Sequence, residues 1–368
     1  MKIQVWAPEF ARFGGGIGNF SRELARAFRS FDHDISLNGF LDRPGTWEGL
    51  TLSGAGYLPR ITAKPAFAAL LLSGCARKRP DLIVSSHINF GPIARLAKSL
   101  FGIRYMLVAH GVDVNDRMSS LNLQALRNAD RIIAVSAWTR DRLLALGGIH
   151  ADRIALLPNT VDTTKFRVRG FPESLRKRYR LSMDERVLLT VARLGPTSAL
   201  GGYKGCDRVL EALPAIAADA GPIRYVIVGE GPDRARLEGI ARDLDVEAMV
   251  TFAGFVPEDE LPDHYRLADV FAMPSTGEGF GIVFLESMAS GTPVVAGNAD
   301  GSVDALNKGE LGRLADPNDV QAIAAAVTEL LRGIGPSLWF ERNALHDAVE
   351  LRFGRAAFRE RVAEILSS

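Results

Sequence analysis

Short apolar runs of strand length alternate with helix-patterned segments along almost the whole chain, and this alternation constrains the fold more than any other feature. In the first half the strand candidates are "KIQVWAP", "DISLNGF", "DLIVSSH", "RYMLVAHG", "RIIAVS" and "RIALLP". Helical patterns such as "NFSRELARAFRSF" and "PIARLAKSLFG" fall between several of them. In the second half "RVLLTVARLG", "RYVIVGEG", "MVTFAGFV", "DVFAMPS" and "TPVVAG" read as strands, with helices at "CDRVLEALPAIAAD", "PDRARLEGIARDL", "ELPDHYRLA" and "IVFLESMAS". Strand–helix–strand repetition builds βαβ units and hence parallel sheets. The two series break at residues 158–175, "PNTVDTTKFRVRGFPESL", where turn-forming residues recur without a sustained period, as a hinge requires. A chain of 368 residues is long for one core. Two doubly wound α/β domains in tandem are therefore predicted. Ligands of such sheets bind outside the carboxyl ends of the strands, so a cleft between the domains is the expected site. The terminal "RFGRAAFRERVAEILSS" has apolar residues at helical spacing and must dock on another element.

Composition narrows the function classes. A net charge of +1 gives no global field to recommend nucleic acid as a partner. Cys75 and Cys206 are far apart and form neither a disulfide framework nor a metal motif, which fits a reducing cytoplasm. The N-terminal "MKIQVWAPEF" lacks a signal-peptide core. The longest membrane candidate, "AFAALLLSGCA" at 66–76, falls short of the ~18 apolar residues that a span needs. The charge is nevertheless uneven. Residues 57–104 hold eight bases (Arg60, Lys64, Arg77, Lys78, Arg79, Arg95, Lys98, Arg104) against one acid, Asp81. Such a surface either leans on anionic lipid headgroups at the cytoplasmic face or is a solvated face.

Several residue groups could carry chemistry. Gly14, Gly15, Gly16 and Gly18 in "FGGGIGNFSREL" follow the first strand and open a helix that Asn19 or Ser21 could cap. Amides exposed there favour phosphate oxygens, or else form a plain tight turn. Arg193 ends a strand and Lys204 precedes the next helix; two cations at a sheet's carboxyl end could neutralise a diphosphate. "STGEGFGIVFLESMASGTP" places Glu278 in a loop and Glu286 on an otherwise apolar helix face. A buried carboxylate needs hydroxyl or amide donors. The hydroxyls of a sugar, such as a ribose pair, would serve, as would a neighbouring helix. His87 and His110 end strands of the first domain, with His110 the better functional candidate. "DHD" at Asp32–Asp34 fits a solvated turn better than a metal site, and nothing suggests zinc.

Taken in order, "GGGIGNFSREL", "HGVDV", "PNTVDTTKF", "VARL…YKGCDRVLEAL", "YVIVGEGP", "FAGFVPEDEL" and "GEGFGIVFLESMASGTPVVAG" resemble the retaining glycosyltransferases of the GT-B fold, family 4. The resemblance spans essentially the whole chain, and Glu278 with Glu286 forms its E-x7-E signature. It implies an acceptor domain at 1–165, with a terminal helix at about 352–368 packing back on it, and a nucleotide-sugar donor domain at 166–351. Gly15 and Gly16 would approach the donor phosphate, and Arg193 with Lys204 would clamp the diphosphate. Glu286 would bind the ribose and Glu278 the transferred sugar, which also meets the amides of Phe280 and Gly281; the amides from Gly279 to Ile282 could hold an anion of the donor. His110 would lie near the sugar, and Phe255 and Val256 would frame the base. The resemblance implies a metal-independent hexosyl transfer from a UDP- or GDP-sugar to a saccharide or lipid-linked saccharide, with no cofactor. A small soluble acceptor is the runner-up. An NAD-dependent oxidoreductase is a different class that lacks its glycine fingerprint here. The ten-residue loop "LGPTSALGGY" between Arg193 and Lys204 is longer than in many members and is expected to order with donor.

Overall fold

The computed structural model describes residues 1–11, 15–115, 118–195 and 204–367, with the Arg60 side chain left aside. Gly14 and residues 196–203 of the loop before Lys204 lie outside the described residues. The chain divides into two compact units, Met1–Thr160 with Ala356–Ser368, and Val161–Arg355.

The first unit is built on strands β1 (Lys2–Ala7), β2 (Asp34–Gly39), β3 (Gly45–Trp47), β4 (Leu50–Gly54), β5 (Leu82–Ser85), β6 (Arg104–Ala109), β7 (Arg131–Ala134) and β8 (Ile154–Leu156). Their order across the sheet is β3-β4-β2-β1-β5-β6-β7-β8, parallel except for the β3/β4 pair. Strands covered on both faces must be apolar on both faces, and β5 is buried at every position. The β3–β4 hairpin was not foreseen from sequence. Its turn uses Glu48 and Gly49, both at positive φ, which suits the twist of a two-residue hairpin. Arg26 pairs with Glu48 and its guanidinium lies 5.3 Å from the Trp47 ring centre, tying the hairpin to the first helix.

The apolar stretch at 66–76 belongs to the helix Arg60–Lys78. Ala63, Phe67, Leu71 and Cys75, four residues apart, form its buried face. No helix among the described residues is long and apolar enough to cross a membrane. The terminal helix Arg355–Ser367 buries Phe358, Val362 and Ile365. Phe358 meets Phe20 edge to face with ring centres 5.7 Å apart.

The second unit holds β9 (Arg186–Val191), β10 (Ile223–Val228), β11 (Val250–Gly254), β12 (Val270–Met273), β13 (Val294–Gly297) and β14 (Arg313–Ala315). All pairs are parallel, in the order β11-β10-β9-β12-β13-β14. β14, three residues long, was not read from sequence. Strand order reverses at β1/β5 in the first unit and at β9/β12 in the second. These reversals open a crevice at the carboxyl edge of each sheet. They therefore locate where each unit should bind a ligand.

Candidate functional site

In the second unit, Arg193 follows β9 and the loop to Glu278 follows β12, so both leave the two strands that flank the reversal. The loop is held from below by Asp300, a buried residue on the turn after β13. Its carboxylate accepts from the Ser275 hydroxyl at 2.8 Å, the Glu278 amide at 2.7 Å and the Ser302 amide at 2.9 Å. Burial raises the Asp300 pKa, and these donors pull it back. Gly301 donates its amide to the Glu278 carbonyl at 2.9 Å. A Cβ at Gly301 would overlap the Gly279 carbonyl, so the approach admits glycine alone.

The chain then enters the helix Ile282–Ala289 through Gly281, whose φ of +88° glycine adopts freely. Phe280 is buried against Phe353, with ring centres 5.7 Å apart. The amides of Gly279, Phe280, Gly281 and Ile282 donate to no acceptor among the described residues, as the first turn of a helix leaves them. Glu286 is 5% exposed. One carboxylate oxygen accepts from the Tyr265 hydroxyl at 2.7 Å. That donor comes from the adjacent helix Leu261–Leu267 and was missed in the sequence. No other side chain among the described residues donates to Glu286. Burial lifts its pKa to about 7, against the pull of Tyr265 and Lys165.

Arg193 and Lys204 line one recess with Gly205, Asp207, Asp233 and Arg236. Arg236 is held by Asp233 at 2.7 Å and by Asp207 at 3.1 Å. The Arg193 guanidinium is exposed and makes no hydrogen bond or ion pair among the described residues. Lys204 forms an ion pair with Glu278, a pairing the sequence reading did not anticipate. Gly205, at φ +75°, packs so closely on the Pro274 carbonyl that a Cβ would collide with it. This contact locks the Lys204 backbone to the end of β12. After β11, Phe255 is 73% exposed and Val256 is half-buried. Glu258 pairs with Lys165 at 3.0 Å on the same side of the unit as Glu286, whose charge both influence.

In the first unit the helix after β1 begins at Gly15 itself, at φ +48°. Asn19 and Ser21 therefore lie inside the helix and do not cap it. Ser21 instead donates back to the Ile17 carbonyl at 2.7 Å, and Asn19 accepts from Arg22. The chain between β1 and the glycines is fixed by Asp42, another residue missed from sequence. Its buried carboxylate accepts from the amides of Phe10 at 2.6 Å and Ala11 at 3.1 Å. Gly16 is exposed in the first turn. His110 follows β6 and is buried. Its Nε2 bonds the Ser86 carbonyl at 2.8 Å, so that nitrogen carries the proton. Burial pushes its pKa down to about 4, leaving a neutral ring at pH 7. His87 accepts the Asn89 amide on Nδ1 at 3.1 Å.

This geometry agrees with two family matches. Residues 15–160 match the family described as "Glycosyl transferase 4-like domain", and residues 172–343 match "Glycosyl transferases group 1". The GDP-mannose-dependent alpha-(1-6)-phosphatidylinositol monomannoside mannosyltransferase of Mycobacterium tuberculosis is 38% identical over 65% of this chain and 63% of its own. The chain belongs to the family 4 glycosyltransferases of the GT-B fold. The D-inositol 3-phosphate glycosyltransferase of Acidothermus cellulolyticus is 34% identical over 72% of this chain and 63% of its own. The chain thus spans less than two thirds of the length of either relative. Among solved structures, sucrose-phosphate synthase of Thermosynechococcus elongatus superposes with a TM-score of 0.81 at 22% identity, over 100% of this chain and 98% of that one. HepE of Anabaena, in complex with UDP and glucose, gives 0.79 at 21% identity, over 100% and 99%. These likenesses establish the GT-B fold, two Rossmann-like parallel-sheet domains, for this family 4 chain.

Proposed function

We propose that this chain moves a hexosyl group from a nucleoside-diphosphate sugar to a saccharide or lipid-linked saccharide with retention of anomeric configuration. The second unit would hold the donor and the first the acceptor. The observation that carries the reading is the assembly at the β9/β12 edge. Among the described residues Arg193 has no partner, Lys204 is poised beside Glu278, and the helix that follows the Glu278 loop carries a buried Glu286 with one oxygen uncommitted. A diphosphate needs the cations and a ribose needs the carboxylate. The sugar's C1–phosphate bond would break as the acceptor oxygen bonds C1. The acceptor's proton would pass to the departing phosphate oxygen, so no protein base is needed. Arg193, Lys204 and the free amides would stabilise the departing charge, without a metal. Phe255 and Val256 would flank the base through backbone atoms, and the neutral His110 would serve as a hydrogen-bonding partner of the sugar. The mannosyltransferase relative makes GDP-mannose the first donor to test, followed by UDP-glucose. Slow release of free sugar from one of them supports the reading. Absence of both binding and release across GDP-, UDP- and ADP-sugars would sink it.

Glu286 gives this reading a pH signature. Its folded pKa of about 7 lies above the ordinary 4.5 of a glutamate. The fold therefore favours the protonated form: the contribution is complete below about pH 4.5 and is lost as pH rises through 7. Its size is about 3 kcal/mol. Thermal melts of the free protein should fall from pH 6 to pH 8 by more than those of Glu286→Gln. Ribose hydroxyls donate to the carboxylate and favour its charged form, so GDP or UDP binding at pH 7 should release a fraction of a proton. Calorimetry in buffers of different ionisation enthalpy reads that release, and a release retained in Glu286→Gln would exclude Glu286 as its source.

We also propose a lipid-linked acceptor presented at an anionic membrane surface. The helices Arg60–Lys78 and Gly91–Phe101 pack on each other; on them Ile61 is 91% exposed, Leu96 and Leu100 are exposed, and so are Lys64, Arg77 and Lys78. Lys98 is already engaged by Asp130 at 2.7 Å, so fewer bases are available than the sequence counts. The protein should sediment with phosphatidylglycerol vesicles and not with phosphatidylcholine ones, and Ile61→Glu should weaken that binding. Protein that stays wholly in the supernatant with both would refute the membrane contact.

A further inference from the structure

β5 and β6 are paired neighbours, so the segments that follow them, Ser86–Asn89 and His110–Val114, emerge side by side at the carboxyl edge of the first sheet. The bond from His110 Nε2 to the Ser86 carbonyl ties one segment to the other. Two polar atoms in this cluster have no hydrogen-bond partner among the described residues. Asp113 accepts the His110 amide on Oδ1 at 2.8 Å, while its Oδ2 is buried with no hydrogen-bond partner among the described residues. His87 spends Nδ1 on the Asn89 amide, so a neutral ring carries its proton on Nε2. That N–H also has no partner among the described residues. The rings of His87 and His110 are 6.4 Å apart. The Asp113 charge is close enough to act on His87, although burial outweighs it and holds the His87 pKa down.

One buried acceptor and one less buried donor, neither with a partner among the described residues, thus share a crevice edge. An ammonium group would find no use for the His87 N–H, and a phosphate would be repelled by the Asp113 carboxylate. A hydroxyl satisfies both at once, because it donates one hydrogen bond and accepts another. We propose that Asp113 and His87 bind a hydroxyl of a polyhydroxy acceptor, the O–H donating to Asp113 Oδ2 and its oxygen accepting from His87 Nε2–H. This deepens the glycosyltransferase reading and rests on it for the word acceptor. The pair fixes which hydroxyl of the acceptor is held, and so acts in positioning and selectivity.

The test uses the intact chain with methyl α-D-mannopyranoside and myo-inositol as probes, titrated by saturation-transfer NMR. Asp113→Asn keeps an oxygen for the His110 amide but turns the Oδ2 position into a donor. His87→Asn can keep an Asx-type bond to the Asn89 amide while deleting the Nε2 donor. Each variant is expected to weaken binding of at least one polyol about tenfold. Because both residues would hold the same hydroxyl, the double variant should lose little more than the worse single one. GDP and UDP affinities and the melting temperature, measured on the same samples, should stay within about twofold and ~2 °C of the parent, because those ligands belong to the other unit. Unchanged polyol binding in Asp113→Asn, strictly additive losses, no polyol binding by the parent, or an equal loss of nucleotide binding would each overturn the proposal. A parent that binds the polyols but no nucleotide sugar would instead refute the transferase reading and leave the hydroxyl site standing.

Discussion

Lys204→Ala is expected to lower donor turnover by about 10²–10³-fold, the usual cost of removing one aimed group from a site of developing charge. Lys204 is paired with Glu278, and both side chains are largely shielded from water. A diphosphate entering the recess beside Arg193 competes for the same ammonium. Lys204 would then leave Glu278 for phosphate, and the carboxylate would be released to accept sugar hydroxyls. The pair compensates a shielded lysine and a shielded acid with each other. The loss should appear mainly in kcat if Lys204 meets charge that develops only as the phosphate departs, with a smaller rise in KM. Glu278→Gln should cost less in binding of GDP or UDP, because it removes the competitor that holds Lys204 back. In the double variant the two effects should be non-additive, since both residues share one contact. Turnover of Lys204→Ala within threefold of the parent would show that the ammonium does not serve the diphosphate.

Much of this site was legible because its residues announce themselves by local anomaly. An acid on an apolar helix face, a cation at the end of a buried strand and glycines after a first strand each break the pattern around them. The parallel sheets also followed from βαβ alternation, because strand runs buried on both faces stand out as short, continuous apolar stretches. The groups that hold the site in place left no such mark. Tyr265 is one aromatic among the apolar residues of its helix, and only the packing of that helix on Ile282–Ala289 brings its hydroxyl to Glu286. Asp42 lies 31 and 32 residues from the amides it accepts, and Asp300 lies 22 residues from Glu278. Such long-range bonds carry no periodicity to read. The hairpin Gly45–Gly54 and β14 escaped because strands of three to five residues are too short to show alternation, and those of the hairpin are also rich in Gly and Thr. Asn19 and Ser21 misled as caps because the first helix starts before both of them, at Gly15, on a glycine able to take a positive φ.

Asp300→Ala is expected to cost the second unit about 3 kcal/mol. Three donors now end on this carboxylate: the Ser275 hydroxyl and the amides of Glu278 and Ser302. Ser275 and Ser302 are fully buried, so water cannot readily replace the lost acceptor. Each buried donor left unmade costs about 1–3 kcal/mol, although partial relaxation and the Ser275–Ser302 contact recover some of it. In a unit of this size that corresponds to a fall in melting temperature of about 6–12 °C. The same change should weaken GDP or UDP binding, because the Glu278 amide and the Gly301–Glu278 bond set where the loop begins its approach to the helix Ile282–Ala289. Asp300→Asn separates stability from position. Its oxygen can still accept on one side, but its amide group opposes a donor on the other, so it should recover part of the stability and little of the affinity. Melting and titration of both variants decide the matter. If Asp300→Ala melts within ~2 °C of the parent, the loop is held by its glycine contacts alone. If it melts low but binds nucleotide normally, Asp300 supports the fold without shaping the site.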